Sequence, residues 1–180
     1  MKPAELQERI AKWEDLHTDF KERFDSNREL VKDIVCFANT DGGQLIFGIS
    51  SDKHIVGVDD PDWLFNKVDD IAFQHCEPPI TVVQESLDID GKTVVVVNIP
   101  KGDQRPYRTN SGLYYIRTTS GCRQASRQEL LRLFQSTASL YYDETTLPRL
   151  RSHSRTRLSP EAVASTWPSG EKARLLTGCV

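Results

Sequence analysis

Apolar positions along the chain switch between helical spacings of three and four and a strand spacing of two, and the switches outline the elements. Pro3 followed by Leu6, Ile10 and Trp13 describes an amphipathic helix, with residues 1–11 as its N-terminal part. Residues 18–21 alternate as a short strand. Ser26 with Glu29 three positions on reads as a capping box, and it opens a helix with Leu30, Ile34, Phe37 and Ala38 on one face. Asn39, Thr40, Asp41, Gly42 and Gly43 end that helix, glycine supplying the left-handed turn residue. Residues 44–49 read as a buried strand, 50–53 as a turn and 54–58 as the strand's hairpin partner.

Asp60 and Pro61 start a third helix, an N-cap followed by proline in the first helical position. Leu64, Val68, Ile71 and Ala72 form its apolar stripe, and Pro78 and Pro79 close it. Residues 80–88 and 92–99 flank Asp90 and Gly91, a strong hairpin signal. Residues 113–117 form another short strand, and Ser126 with Glu129 caps a last helix carrying Leu130, Leu131 and Phe134. The order α-β-α-β-β-α-β-β-β-α around one core predicts an α+β domain at residues 12–136, with a single mixed, mostly antiparallel sheet flanked by helices. Residues 137–180 read as the helix end and then a basic, poorly ordered tail or linker, because the apolar periodicity fails there.

A chain of 180 residues, 38% hydrophobic and 27% charged, has room for one domain with a real core. Its apolar runs, such as 94–97 extended by Ile99, fall far short of the roughly 20 residues of a membrane helix. Lys2 and Pro3 lead straight into the amphipathic pattern with no signal peptide, so the expectation is a cytoplasmic chain with no membrane partner. Cys36, Cys76, Cys122 and Cys179 contain no Cys-x-x-Cys pair, which argues against a zinc site and for reduced thiols. The net charge of −3 hides a polarised distribution. Residues 101–132 hold seven basic and two acidic side chains, a local surplus of five, so one anion-binding face is compatible with an acidic chain.

Three segments together resemble one family. They are Glu14-x4-Asp19-Phe20-Lys21, then Phe37-Ala38-Asn39-Thr40-Asp41-Gly42-Gly43 with Phe47-Gly48-Ile49, then Tyr115-Ile116-Arg117 with Ala125-Ser126. The set is similar to the Schlafen/AlbA_2 domain, found in prokaryotic DNA-binding regulators and in the core of Schlafen proteins. That resemblance implies a nucleic-acid-binding domain acting in transcription regulation, with DNA favoured over RNA and no cofactor. In nucleolytic members it implies an acidic triad that holds magnesium or manganese against a phosphodiester. Glu14 and Asp19 have the spacing for two of those carboxylates, whereas Ser50 and Ser51 stand where the third is expected and Asp52 is displaced from it. A metal-dependent endonuclease acting on RNA or DNA is therefore the alternative, with a domain that binds no nucleic acid as a further one.

Asn39, Gly42, Gly43 and Gly48 carry the motif and read first as structural, since glycine commonly ends helices; a small anion-binding nest at Gly42 and Gly43 is the functional alternative. The candidate nucleic-acid contacts are Lys21, Arg105, Arg108, Tyr115, Arg117 and Arg123, with Lys21 placed either to meet a phosphate or to pair with Asp19 on the same strand face. Arginine grips phosphate with a bidentate fork, and tyrosine stacks on bases. Strand alternation groups Tyr115 with Arg117 apart from Tyr114 and Ile116, and Arg117 is expected to be dispensable for folding. A small reader enlarges its footprint by forming a homodimer, one of the oligomeric states the sequence leaves open.

Overall fold

A computed structural model describes residues 3–137. The helices are α1 (Pro3–Lys12), α2 (Asn27–Asn39), α3 (Pro61–Gln74) and α4 (Arg127–Ser136). The strands are β1 (Thr18–Lys21), β2 (Gly43–Phe47), β3 (Cys76–Glu77), β4 (Val83–Ile89), β5 (Lys92–Ile99), β6 (Arg108–Thr109), β7 (Tyr115–Thr118) and β8 (Gly121–Gln124). The main sheet runs β1-β2-β5-β4, and only β1 and β2 are parallel in it. A parallel pair needs a crossover connection, and α2 supplies it. The fold is α+β, with a mixed and mostly antiparallel main sheet. Two small two-stranded sheets, β3-β6 and β7-β8, accompany it.

The apolar run in β5 has a simple cause: the sheet is covered on both sides. Val95, Val97 and Ile99 pack with Leu45 and Phe47 against α2 and α3. Val94 and Val96 pack with Ile46 and Phe20 against Leu6 and Ile10 of α1. Alternate residues of one strand thus enter different halves of the core, and Val94, Val95, Val96 and Val97 are all fully buried. Each contributes about 1.5–3 kcal/mol by leaving water.

Three local expectations change. Residues 54–58 do not add a strand to β2, because β1 and β5 already occupy both of its edges. The segment instead crosses at Gly48, where the amides of Val56 and Gly57 donate to the Gly48 carbonyl at 2.9 and 3.0 Å, and a single bridge joins Ile49 to Ile55. Trp13 leaves the first helix with φ of 66° and stacks on Phe20 at 4.8 Å. At the start of α2, Ser26 accepts from the Glu29 amide, but the Glu29 carboxylate turns to Lys32 at 2.7 Å, so the cap is one-sided.

The cysteines also depart from expectation. Cys36 on α2 and Cys122 on β8 form a disulfide, with their Cα atoms 6.0 Å apart across a separation of 86 residues. Sequence spacing carries no information about that proximity; it arises because the β7-β8 hairpin packs on α2. Cys76 is a buried free thiol, pushed up to about 12 by burial. The C-terminal tail expected beyond Thr137 lies outside the described residues. No helix among the described residues is long and apolar enough to cross a membrane.

Gly48 shows why the Phe-Gly-Ile phrase needs its glycine. Its φ is +96°, and a Cβ there would lie 3.1 Å from the Gly57 backbone. Gly48→Ala is expected to lower stability by about 1–3 kcal/mol through backbone strain and crowding, read as a shift in the urea midpoint with an unchanged m-value.

Candidate nucleic-acid interface

Asp19 and Lys21 lie on the α2 side of β1, each beside an apolar β2 residue of the same face, Leu45 and Phe47. There they meet two groups from distant parts of the chain. Lys21 Nζ sits 3.1 Å from Asp19 Oδ2 and 3.0 Å from Asp33 Oδ2 of α2. Arg117 reaches in from β7 and donates to Asp19 Oδ1 at 2.8 Å. Its other terminal nitrogen donates to the carbonyls of Asp15 and Thr18 at 3.0 and 3.1 Å. The guanidinium also lies 4.8 Å from the centre of the Phe37 ring, and only 3% of the side chain is exposed. Burial alone would lower the Lys21 ammonium, but Asp33 and then Asp19 outweigh it and hold it above the usual lysine range. Burial pushes the Asp33 carboxyl up against the pull of Lys21.

This knot corrects an expectation from the sequence. Arg117 is a buried ion-pair partner that joins β7 to β1, so it does not lie on a solvent-facing surface. Lys21 takes the pairing with Asp19 that strand alternation allows it and adds Asp33. Sequence reasoning misses Asp33, although an acid on the same helical face as Leu30 and Phe37 is a legible signal of a buried partner.

The acidic triad implied by the resemblance does not assemble. Asp19 is held by Arg117 and Lys21, whereas Glu14 and Asp52 are exposed. Among the described residues no group of three or more His, Cys, Asp or Glu side chains is placed to hold a metal ion. The arrangement does not fit a divalent metal, and no catalytic step is derived through one.

The motif residues around the end of α2 are structural clamps. Asn39 is almost fully buried; its amide donates to the Tyr107 and Tyr115 carbonyls at 2.8 and 2.9 Å, and its oxygen accepts from the Tyr107 amide at 2.7 Å. The Gly42 amide donates back to Phe37 O at 3.0 Å. A Cβ on Gly43 would fall 2.4 Å from the Phe37 ring. The Gly42 and Gln44 amides are both bonded within the protein, and the turn ends the helix.

Of the candidate contact residues, the cations that reach solvent lie at β6, at β8 and, half-buried, in the loop before β6. Arg108 forms a two-bond fork with Glu77, both bonds at 2.9 Å, with 42% of its side chain exposed. Arg123 does the same with Glu129, at 2.9 and 2.6 Å, with 49% exposed. Arg105 is half-buried and donates to the Thr40 carbonyl at 3.5 Å. Tyr115 is half-buried and packs against the core. Beside Arg105, the Asp41 carboxyl is held below its usual range by Lys101, with smaller contributions from His17 and Arg105.

Glu129 has a second role, because its carboxylate accepts from the Ser126 amide and completes the capping box of α4. Arg123 first, and then Ser126, lower it from 4.5 to about 2. A depressed carboxyl stabilises the fold above its unfolded value, and that contribution is lost as pH falls through the folded one. A loss of amide-exchange protection confined to α4, relative to the intrinsic exchange rate at each pH, is therefore expected as pH falls from 4.5 to about 2. Glu129→Gln should abolish that pH dependence.

The Schlafen AlbA_2 sequence profile matches residues 14–126. No match was found among curated proteins. The crystal structure of the DIP2311 protein from Corynebacterium diphtheriae is similar with a TM-score of 0.53 and 22% identity, over 74% of this chain. The chain spans 28% of that protein's length. The N-terminal domain of a Nitrosomonas europaea protein named as related to the ATP-dependent DNA helicase RecG, solved by solution NMR, also gives 0.53 and 22%. That match covers 61% of this chain and 82% of the other. At this identity both likenesses show the fold alone.

Proposed function

We propose that this chain, which belongs to the Schlafen AlbA_2 family, is a DNA-binding domain acting in transcription regulation. The observation that carries this is the pair of solvent-facing arginine forks. Arg108 and Arg123 are each held in a planar two-bond geometry by a single carboxylate at the surface. Exposed pairs of this kind add little to stability. A phosphate oxygen pair presents the same acceptor geometry as the carboxylate it would replace. Arg105, with no carboxylate in direct contact among the described residues, adds a third cation on the same run of chain.

Metal-dependent cleavage is not part of this proposal, because Asp19 is closed off by Arg117 and Lys21. The test is duplex-DNA affinity measured across a salt series. Phosphate contacts give a steep fall in affinity with salt, and salt-independent or absent binding would refute the proposal.

A further inference from the structure

A cleft of about 230 Å³ opens between the start of α2, the residue after α3 and the turn joining β6 to β7. It is separate from the arginine forks, and Tyr115 forms part of its wall. Among the described residues no acidic side chain lines it, so no carboxylate is on hand to balance a cationic ligand. Val31 and the Tyr115 ring supply apolar surface, and both pack with the core. Polar groups are fixed nearby. Asn110 Nδ2 lies 2.9 Å from His75 Nδ1, and the Asn110 amide donates to the His75 carbonyl at 2.9 Å. Ser111 adds a hydroxyl held by Thr109 at 2.8 Å. Arg28 stands at the cleft with no hydrogen bond or ion pair to any other described residue, the nearest carboxyl it influences being that of Glu29.

An aromatic face, a polar edge with donors and an acceptor, and one uncommitted guanidinium match the parts of a single nucleotide. The volume is below that of a drug-sized pocket, about 300–1,000 Å³, which restricts the occupant to one flat ring system with its phosphate at the opening. We infer that this cleft takes one unstacked nucleotide, the base against Tyr115 with its edge toward His75 and Ser111, and the phosphate on Arg28. The inference rests on the nucleic-acid reading and deepens it: the domain would favour strands with an unpaired or extruded nucleotide over fully paired duplex.

The experiment is an NMR titration of the isotopically labelled full chain with deoxynucleoside 5′-monophosphates, with inorganic phosphate and free nucleosides as separate arms. Monophosphates should shift the amides of Arg28, His75, Asn110, Ser111 and Tyr115 more strongly than either part alone. Arg28→Ala should weaken that binding by about tenfold, the scale of one charge-assisted hydrogen bond. Tyr115→Leu should weaken monophosphate and nucleoside binding but leave phosphate unaffected. Should inorganic phosphate alone reproduce the shifts, the base site is refuted; should monophosphates move none of these amides, the whole cleft assignment is. Long-strand binding in the same samples separates the two claims. Strand binding without monophosphate shifts refutes the cleft and spares the arginine forks, and the reverse result refutes the forks.

Discussion

Replacing Arg117 by alanine is expected to destabilise the domain by about 3–5 kcal/mol, the usual consequence of removing one partner from a buried ion pair. The loss has several parts. Asp19 is left buried with only Lys21 beside it, the carbonyls of Asp15 and Thr18 each lose the Arg117 donor, with Thr18 keeping the Asp15 amide, and the Phe37 ring loses the cation above it. Lysine at this position should recover only part of the loss, because one ammonium cannot serve Asp19 and two carbonyls with the fixed fork of a guanidinium. Urea denaturation of the two variants measures the effect. A change below about 1 kcal/mol, within the range of ordinary surface substitutions and small perturbations, would mean that the knot contributes little to the fold.

Asn39→Ala should cost about 3–4 kcal/mol for a related reason. Three hydrogen bonds run from this one side chain to the backbone at Tyr107 and Tyr115. Truncation leaves an amide and two carbonyls unsatisfied in the interior, each costing about 1–3 kcal/mol unless water reaches it. Asn39→Asp should be no better despite its shape, because it removes the donor and places a carboxylate beside two carbonyl oxygens. The two substitutions act on neighbouring parts of one interface, since the Arg117 amide also donates to Thr40 Oγ1 at 2.9 Å. Their effects should therefore be non-additive in a double-mutant cycle.

Local chemistry is legible in the sequence and distant pairing is not. Asp90 and Gly91 turn the β4-β5 hairpin with positive φ at both residues, as their identities imply. Ser126 and Glu129 make the reciprocal cap expected of them. Pro61 opens α3 behind the Asp60 cap. In contrast, the strand expected at 54–58 fails because its edge of β2 is taken by residues 92–99, which no local pattern reveals. Arg117 reads as a surface cation because its partner Asp19 lies 98 residues away. The same distance effect hides the disulfide and the Arg108–Glu77 fork, which spans 31 residues. Among the candidate site residues, the structure gathers Asp19, Lys21 and Arg117 into one buried knot and leaves Arg108 and Arg123 at the surface. A short strand carrying both Tyr115 and Arg117 does not by itself say which side chain faces the core.

The most direct test of the central claim compares the wild-type chain with the Arg105→Ala/Arg108→Ala/Arg123→Ala variant, which leaves Arg117 and Asn39 untouched. Affinity for a duplex is measured by fluorescence anisotropy across a salt series, with circular dichroism and thermal melting as the check on folding. The account predicts a folded variant whose log-affinity against log-salt slope is shallower by about three units, roughly one for each phosphate no longer neutralised by an arginine. An intact fold with unchanged affinity and unchanged slope would contradict it, and the surface arginines would then have no part in binding nucleic acid.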